Sequence, residues 1–598
     1  MITTRRLTAL LVSLLLLLSS TACGGGGTNG GSGGADPTAA QTTTAGAQAT
    51  QAQATQAQTT QEQTTEDVTT EMSGTESPLP GASAPGPFGK FDPPITISWA
   101  VSSKAVHQFK DGDTYEDNIW SRMFLDRLGI QLDVSFIADG SSGAFDNKMN
   151  MQLAAGDLPD IIRGPGYQFF IQAYEAGYLA DITDVFNEYA SDYLMECDEK
   201  YPSFRASASI DGRRYGIGSL YDTHADAKVL WIRDDWLENL GMEAPKTIEE
   251  LYDLAYAFTY NDPNQNGVND TFGLGLHNQL VTANYSTLLG LIGAWGIPGL
   301  NHSLYYRNDE GKMTFPYIEP GMKEALRFVQ RMYKDGLIDP EFSVKSTAAI
   351  DDDIGEGKIG MHFGMQWGTW YPWNIVWQNE SVKTRAYHIP TIDGITPKMG
   401  IGNPGGAGGV QAINSKCPYP EAIIKLLNVF MDTYNHWADE EKARIYIEDE
   451  QFAFSPVGAN EPQEPVWGPL LFEAQQKGTS EGLASRLTFH YDKIMGFENG
   501  TNTGSDAYGL WGQYKLGGSV QIIMEQYLPN NMLVMDIKGL IIPDSYIDYT
   551  SVLEAITLQA FTEIIMGADI DNFDKYVQDW LNAGGQSILD DLDALYPG

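Results

Sequence analysis

Residues 229 to 274 read VLWIRDDWLENLGMEAPKTIEELYDLAYAFTYNDPNQNGVNDTFGL, and three consecutive signals in them organise the rest of the chain. Val229 to Arg233 is an apolar run rich in β-formers, closed by the charged turn Asp234-Asp235, which predicts a short strand. Thr247 followed by Glu250 makes a capping box, in which hydroxyl and carboxylate each satisfy a free backbone N–H at a helix start. Leu251, Leu254, Ala255 and Phe258 then share one helical face. Asn261-Asp262-Pro263 should end that helix near Tyr260.

The loop that follows is dense in oxygen ligands. Asp262, Asn264, Asn266 and Asp270 fall at positions 1, 3, 5 and 9 of the calcium loop D-x-[DN]-x-[DN]-G, with Gly267 sixth and the Val268 carbonyl seventh. A hard cation wants several oxygens at once, and this spacing curls them around one point. Gly273 stands where the bidentate Glu of that loop belongs. Only Asp262 and Asp270 bring charge, so the expected affinity suits extracellular calcium. The alternative is an Asn/Gly turn held by its own side-chain hydrogen bonds.

Three pieces of sequence around this stretch resemble one family. They are Tyr215-Gly216-Ile217, the run Leu230 to Leu237, and the helix with its DPNQNG loop ending in Asp270-Thr271-Phe272-Gly273-Leu274. Ala155-Gly156-Asp157-Leu158-Pro159-Asp160, Asp335 to Pro340 and Glu356 to Met361 add to the likeness. The chain is similar to extracellular solute-binding proteins, nearest to the lipoprotein branch that serves carbohydrate ABC importers. The resemblance covers most of the chain beyond about residue 92. It implies a two-lobed, type II periplasmic-binding-protein-like α/β fold with hinge crossings, and a structural calcium ion in the loop. Thr271 departs from the acidic residue that members often carry there. It also implies a lipid-anchored monomer on the extracellular face of a Gram-positive cell membrane that delivers its ligand to ABC permease subunits.

At the N-terminus, Arg5 and Arg6 precede an apolar run from Leu7 to Leu18, too short to span a bilayer as a mature helix. It reads as an export signal, residues 1–22. Ser20-Thr21-Ala22-Cys23 resembles a lipobox, and diacylation of Cys23 would supply two acyl chains, enough for stable anchoring. Residues 23–90 read as a disordered tether. From Gly24 to Gly89 the chain is Gly, then Thr/Gln/Ala, then Pro, with no Lys or Arg, and cannot bury enough apolar surface to offset its ordering entropy. Its reach is about 45 Å.

The remaining chain of about 500 residues exceeds what one hydrophobic core usually serves. Lobe 1 is expected over 91–222 and 393–445, lobe 2 over 223–392 and 446–598. Ile95 to Ala100, the helix Asn118 to Leu128, and Ile130 to Phe136 give a strand, helix, strand order that suggests a parallel sheet. The net charge of -41 argues against nucleic acid and polyanionic partners, which such a surface would repel. Beyond Cys23 only Cys197 and Cys417 remain, as one bridge or two buried thiols. The eight His residues show no zinc pattern.

Ligands in open α/β sheets gather at the carboxyl ends of strands, which makes Gly164 to Gln168 a cleft candidate, with Tyr167 its most useful group. Family members cross between lobes near Tyr221 and Asp222, which makes these ligand contacts by resemblance, with a turn cap the alternative for Asp222. Trp295 sits between glycines and can present a flat face. The segment from 366 to 377 is the most suggestive, because four of the chain's 13 tryptophans lie there. Sugar rings have apolar C–H faces that bind aromatic planes and hydroxyl edges that need amide and carboxylate partners. Gln366, Trp367, Trp370 and Trp373 are the candidates, with Trp511 in Gly-rich surroundings further on. A helical core stripe is the plainer alternative. The return segment Thr391 to Gly409 lacks the Lys-Ser or Lys-Thr of a P-loop and fits a hinge.

The expected function is non-enzymatic capture of an oligosaccharide between two lobes. A secreted glycoside hydrolase would need two carboxylates about 5 to 10 Å apart across a sugar site, and no pair stands out. A peptide-binding signalling lipoprotein is the third reading, since Trp and Tyr also grip peptides.

Overall fold

The computed structural model describes residues 85–597 except 104–108, 110–111, 141–142, 165, 219, 221–222, 302, 381, 404–408, 436–453, 460–462 and 540–541. The expected signal segment, Cys23 and most of the tether lie outside the described residues, as do Tyr221 and Asp222. The last expected tether residues belong to the fold instead. Lys425 donates to the carbonyls of Gly86 at 2.7 Å and Gly89 at 3.0 Å, and the Asn428 amide donates to Pro87 at 3.0 Å.

In chain order, the strands of the two larger sheets are β1 (Ile95–Ser103), β2 (Ile130–Asp139), β3 (Ile161–Arg163), β4 (Lys228–Arg233), β5 (Phe272–Leu274), β6 (Ile359–Met365), β7 (Thr384–Tyr387) and β8 (Gln411–Ile413). The first sheet has the order β8-β3-β1-β2, with β1 parallel to β2 and β3, and β8 antiparallel to β3. The second has the order β7-β4-β6-β5.

Side chains alternate across a strand, so β3 feeds two cores. Ile161 packs with Trp120, Phe124 and Leu427 on one face of the first sheet, whereas Ile162 packs with Phe145, Met149 and Phe170 on the other. The helix Ile119–Leu128 starts at an Asn118 capping box and stops at Gly129, whose φ of 64° suits glycine. Every residue of β4 and of β6 is buried, as expected of strands covered on both faces. Asp234 and Asp235 do not form the expected turn. They open a helix, Asp234–Leu240, directly after β4, since carboxylates are favoured at a helix N-terminus.

The cores differ from the expected lobe limits in two places. Met399 and Ile401 still pack in the second core, where Met399–Ile401 runs parallel to Leu533–Met535. Phe454, Val457 and Ala459 pack in the first, and Gly458 exchanges two hydrogen bonds with the Gln411 amide. Two links between the cores touch each other, because the Asp226 carboxylate accepts the Gly402 N–H at 2.9 Å. Cys197 and Cys417 are buried and unbridged. Burial pushes the Cys417 thiol up to about 12.

Candidate ligand-binding site

Both sheets turn the same kind of end toward the crossings. Gln411, among the first residues back in the first core, pairs with Arg163 at the carboxyl end of β3. Lys228, the first residue of β4, pairs with Met365 at the carboxyl end of β6. The aromatic segment begins at the next residue, Gln366, so the chain places it at the crossing-facing end of the second sheet.

The segment is a pair of tight turns rather than a continuous stripe. The Trp370 N–H donates to the Trp367 carbonyl at 2.8 Å and the Trp373 N–H to the Gly368 carbonyl at 3.1 Å. Gly368 lies on the Trp231 indole, where a Cβ would come within 2.4 Å of the ring. No larger residue fits at 368 without moving that ring. A helix, Trp373–Glu380, then leads inward.

These turns sort the expected ligand contacts. Trp367 is half-buried, with its ring edge-on to Tyr285 at 6.4 Å. Trp370 is also half-buried, but its indole N–H donates to Gln513, whose amide in turn donates to Gln366. Gly509 of the helix Ser505–Tyr514 lies so close to the Trp370 ring that a Cβ would approach within 2.3 Å. Trp370 thus packs one face against that helix.

Trp373 is fully buried, edge-on to His362 at 4.9 Å, and Gln366 is buried on Gln513 and Ser519. Trp511 is 1% exposed and encloses its N–H against Glu498, with Lys515 over its ring at 4.2 Å. Trp373, Gln366 and Trp511 are therefore core and scaffold in this structure, not ligand-facing groups. Trp295 is half-buried against Phe328 at 5.5 Å, on the side of the helix Gly321–Lys334. Tyr167 is half-buried beside Phe170, at the start of the helix that follows β3.

A second group beside Trp367 has no sequence signal. Asp351 is buried, and its carboxylate accepts the Tyr285 hydroxyl at 2.9 Å and the hydroxyl of Tyr371. The Tyr371 ring is 40% exposed and edge-on to Tyr285 at 5.8 Å. Burial raises the Asp351 carboxyl above its usual range. Burial, with the Asp351 contact, pushes the Tyr371 phenol up to about 12. Asp351 is one of three consecutive aspartates, and only packing singles it out: Asp353 is bound instead to Lys345 and Lys358. An indole face, an exposed phenol and an anchored carboxylate together can stack a ring and fix a hydroxyl edge.

The oxygen-rich loop keeps the expected start. The Thr247 hydroxyl accepts the Glu250 N–H at 3.2 Å and the helix runs Ile248–Tyr260. The Asp262 carboxylate accepts the N–H groups of Asn266 at 3.0 Å and Gly267 at 3.1 Å. The Asn266 amide donates to Asp270 at 3.2 Å. Asn264 also reaches Asp270 at 3.5 Å, so the four side chains lie close together, hydrogen-bonded within the loop as in the Asn/Gly turn, and their oxygens are of the hard type that calcium takes. Gly273 accounts for the missing twelfth ligand, since a Cβ there would lie 2.4 Å from the Ala255 carbonyl oxygen. The loop is held to its own helix where a Glu would otherwise stand. Among the described residues, no three acidic, His or Cys side chains form a metal cluster.

Residues 108–433 match the family model of the bacterial extracellular solute-binding proteins, more than half of the chain. The chain belongs to this family. Solute-binding proteins of the family are binders rather than enzymes, in agreement with the expected capture without chemistry. Among curated relatives, the polygalacturonan/rhamnogalacturonan-binding protein YtcQ of Bacillus subtilis is 27% identical over 50% of this chain and 57% of its own length. Against that relative the match thus spans little more than half of its length. Lipoprotein LipO of the same organism is 25% identical over 78% of this chain and 86% of its own. The fructooligosaccharide ABC transporter substrate-binding protein FusA of Streptococcus pneumoniae is 25% identical over 62% of this chain and 69% of its own. The solved structure of FusA with kestose aligns at a TM-score of 0.56 with 20% identity, over 84% of this chain and 99% of that one. This likeness establishes the two-lobed type II fold. A FusA EF-hand mutant has also been solved, in complex with fructo-nystose, with a TM-score of 0.57.

Proposed function

We propose that this solute-binding protein captures an oligosaccharide between its two lobes and hands it to the membrane subunits of an ABC importer. Lipidated Cys23 and the tether of residues 23 to about 85 would hold it outside the cell. The observation that carries the reading is the group of Trp367, Tyr371, Tyr285 and Asp351 at the crossing-facing end of β6. It offers stacking surface together with a fixed acceptor. Two relatives named for a galacturonan and a fructooligosaccharide support a carbohydrate ligand. Closure would rotate the lobes about the crossings joined by Asp226 and Gly402, shifting an existing open and closed equilibrium by the ligand's preference for the closed form.

Trp367→Ala is expected to weaken oligosaccharide binding by about 1 to 3 kcal/mol, with little change in stability. Titration of tryptophan fluorescence with a panel of oligosaccharides and peptides measures this. Unchanged affinity in the variant removes Trp367 from the site, and saturation by peptides alone overturns the sugar reading.

For the loop, Asp262, Asn264, Asn266, Asp270 and the Val268 carbonyl would hold a calcium ion, whose contribution when bound is structural. Asp262→Ala is expected to lower the melting temperature more in calcium than in chelator. Some loss should persist in chelator, because Asp262 also accepts the Asn266 and Gly267 N–H groups. Equal losses in the two buffers would leave only the turn.

A further inference from the structure

One arginine stands apart from the other described ones. Arg163 ends β3 opposite Gln411, and its side chain is exposed. Among the described residues every other arginine has a carboxylate partner, as Arg122, Arg205, Arg213, Arg307 and Arg331 do, or, for Arg486, the Trp467 ring. Arg163 has neither. In a chain with 78 acidic against 37 basic residues, a guanidinium at the carboxyl end of β3 with no carboxylate partner is an exception that a ligand carboxylate would resolve. Protein closes in on it enough that desolvation pushes it below its ordinary value, although solvent still reaches it.

A Cβ on Gly166, three residues on, or on Gly409, two residues before Gln411, would meet no atom within 4 Å. The helix Gly166–Glu175 that starts here carries no acidic residue in its first turn, so its amide end adds to the local positive potential. Tyr167 stands half-buried in that first turn, an aromatic ring four residues after the cation. Arginine presents a planar fork of N–H donors that matches a carboxylate in two parallel hydrogen bonds.

We propose that Arg163 receives the carboxylate of a uronic acid residue, so that the protein prefers an oligosaccharide bearing one acidic sugar over its neutral counterpart. This rests on the oligosaccharide reading above. The overall negative charge opposes a polyanion at long range, and one local guanidinium compensates one carboxylate. The selected chemistry is thus a mostly neutral chain with a single acidic unit.

The test is calorimetry with paired ligands: neutral xylo-, gluco- and galacto-oligosaccharides, and chains of the same backbones carrying one glucuronic or galacturonic acid. The wild-type protein should bind an acidic member more tightly than its neutral partner. Arg163→Gln should reduce acidic binding roughly ten- to a hundredfold, the scale of a charge-assisted hydrogen bond, and so abolish the preference. Arg163→Lys, which keeps charge without the fork, should restore only part of it. Melting temperatures should be alike in all three, since the side chain has no partner to lose. Equal affinity for both members of every pair in the wild type, or a preference that survives in Arg163→Gln, overturns the inference and leaves oligosaccharide capture standing. Binding of no sugar in the panel overturns both.

Discussion

Trp373→Ala should lower the unfolding free energy by about 3 to 5 kcal/mol, the range for truncating a large buried aromatic, while the folded fraction binds ligand as the parent does. The ring is fully buried and meets His362 edge-on at 4.9 Å, so its removal leaves a cavity below the aromatic turns rather than a gap in the cleft. Denaturant unfolding measures the first effect, and fluorescence or calorimetric titration under native conditions the second. Trp367→Ala should show the reverse pattern, with affinity lost and stability kept. A Trp373 variant that unfolds normally but fails to bind would return this indole to the ligand.

The second large effect is expected at Asp198, which is buried between two arginines. Its carboxylate accepts from Arg205 Nε at 2.8 Å and is also hydrogen-bonded to Arg214. Arg214 is itself buried, lies 3.7 Å over the Phe186 ring, and has its guanidinium pushed below its ordinary value by desolvation. Asp198→Ala leaves that cation without its counter-charge, which costs about 3 to 5 kcal/mol in buried pairs. Chemical denaturation should show it. Asp198→Ala with Arg214→Met should recover much of the loss, because the desolvated charge goes with its partner. A double variant no more stable than the single would show that the carboxylate acts through Arg205 alone. Arg214 also donates its backbone N–H to Thr183 and accepts from the Ile182 N–H. The same network anchors the chain a few residues before it leaves the first core.

Local chemistry was legible where a few adjacent residues suffice. The Thr247 and Glu250 box, the end of the helix at Tyr260 and the strand, helix, strand order from Ile95 to Phe136 appear in the structure, with both strands three residues longer than read. The helix at Asp234 was missed because an acidic pair after a strand suits a turn and a helix N-terminus equally well. In the tryptophan segment, composition located an aromatic cluster but could not say which rings face out. That depends on the Gly368 contact with Trp231 and on Gln513 and Gly509, which are far away in sequence. Asp351 was invisible among its neighbours for the same reason: two phenols distant in sequence select it.

From residue order follow the division into more than one core, the oxygen-rich loop and the place along the chain where tryptophans concentrate, while resemblance to known motifs supplied the family. These depend on periodicity, capping and spacing, which are short-range properties of the polypeptide. The orientation of each indole, the pairing of Asp351 with Tyr285 and Tyr371, the exclusion of a twelfth ligand at Gly273 and the isolation of Arg163 emerge only when distant segments pack. Burial and partner choice are set by whichever side chains arrive from elsewhere in the chain, and no local window contains them.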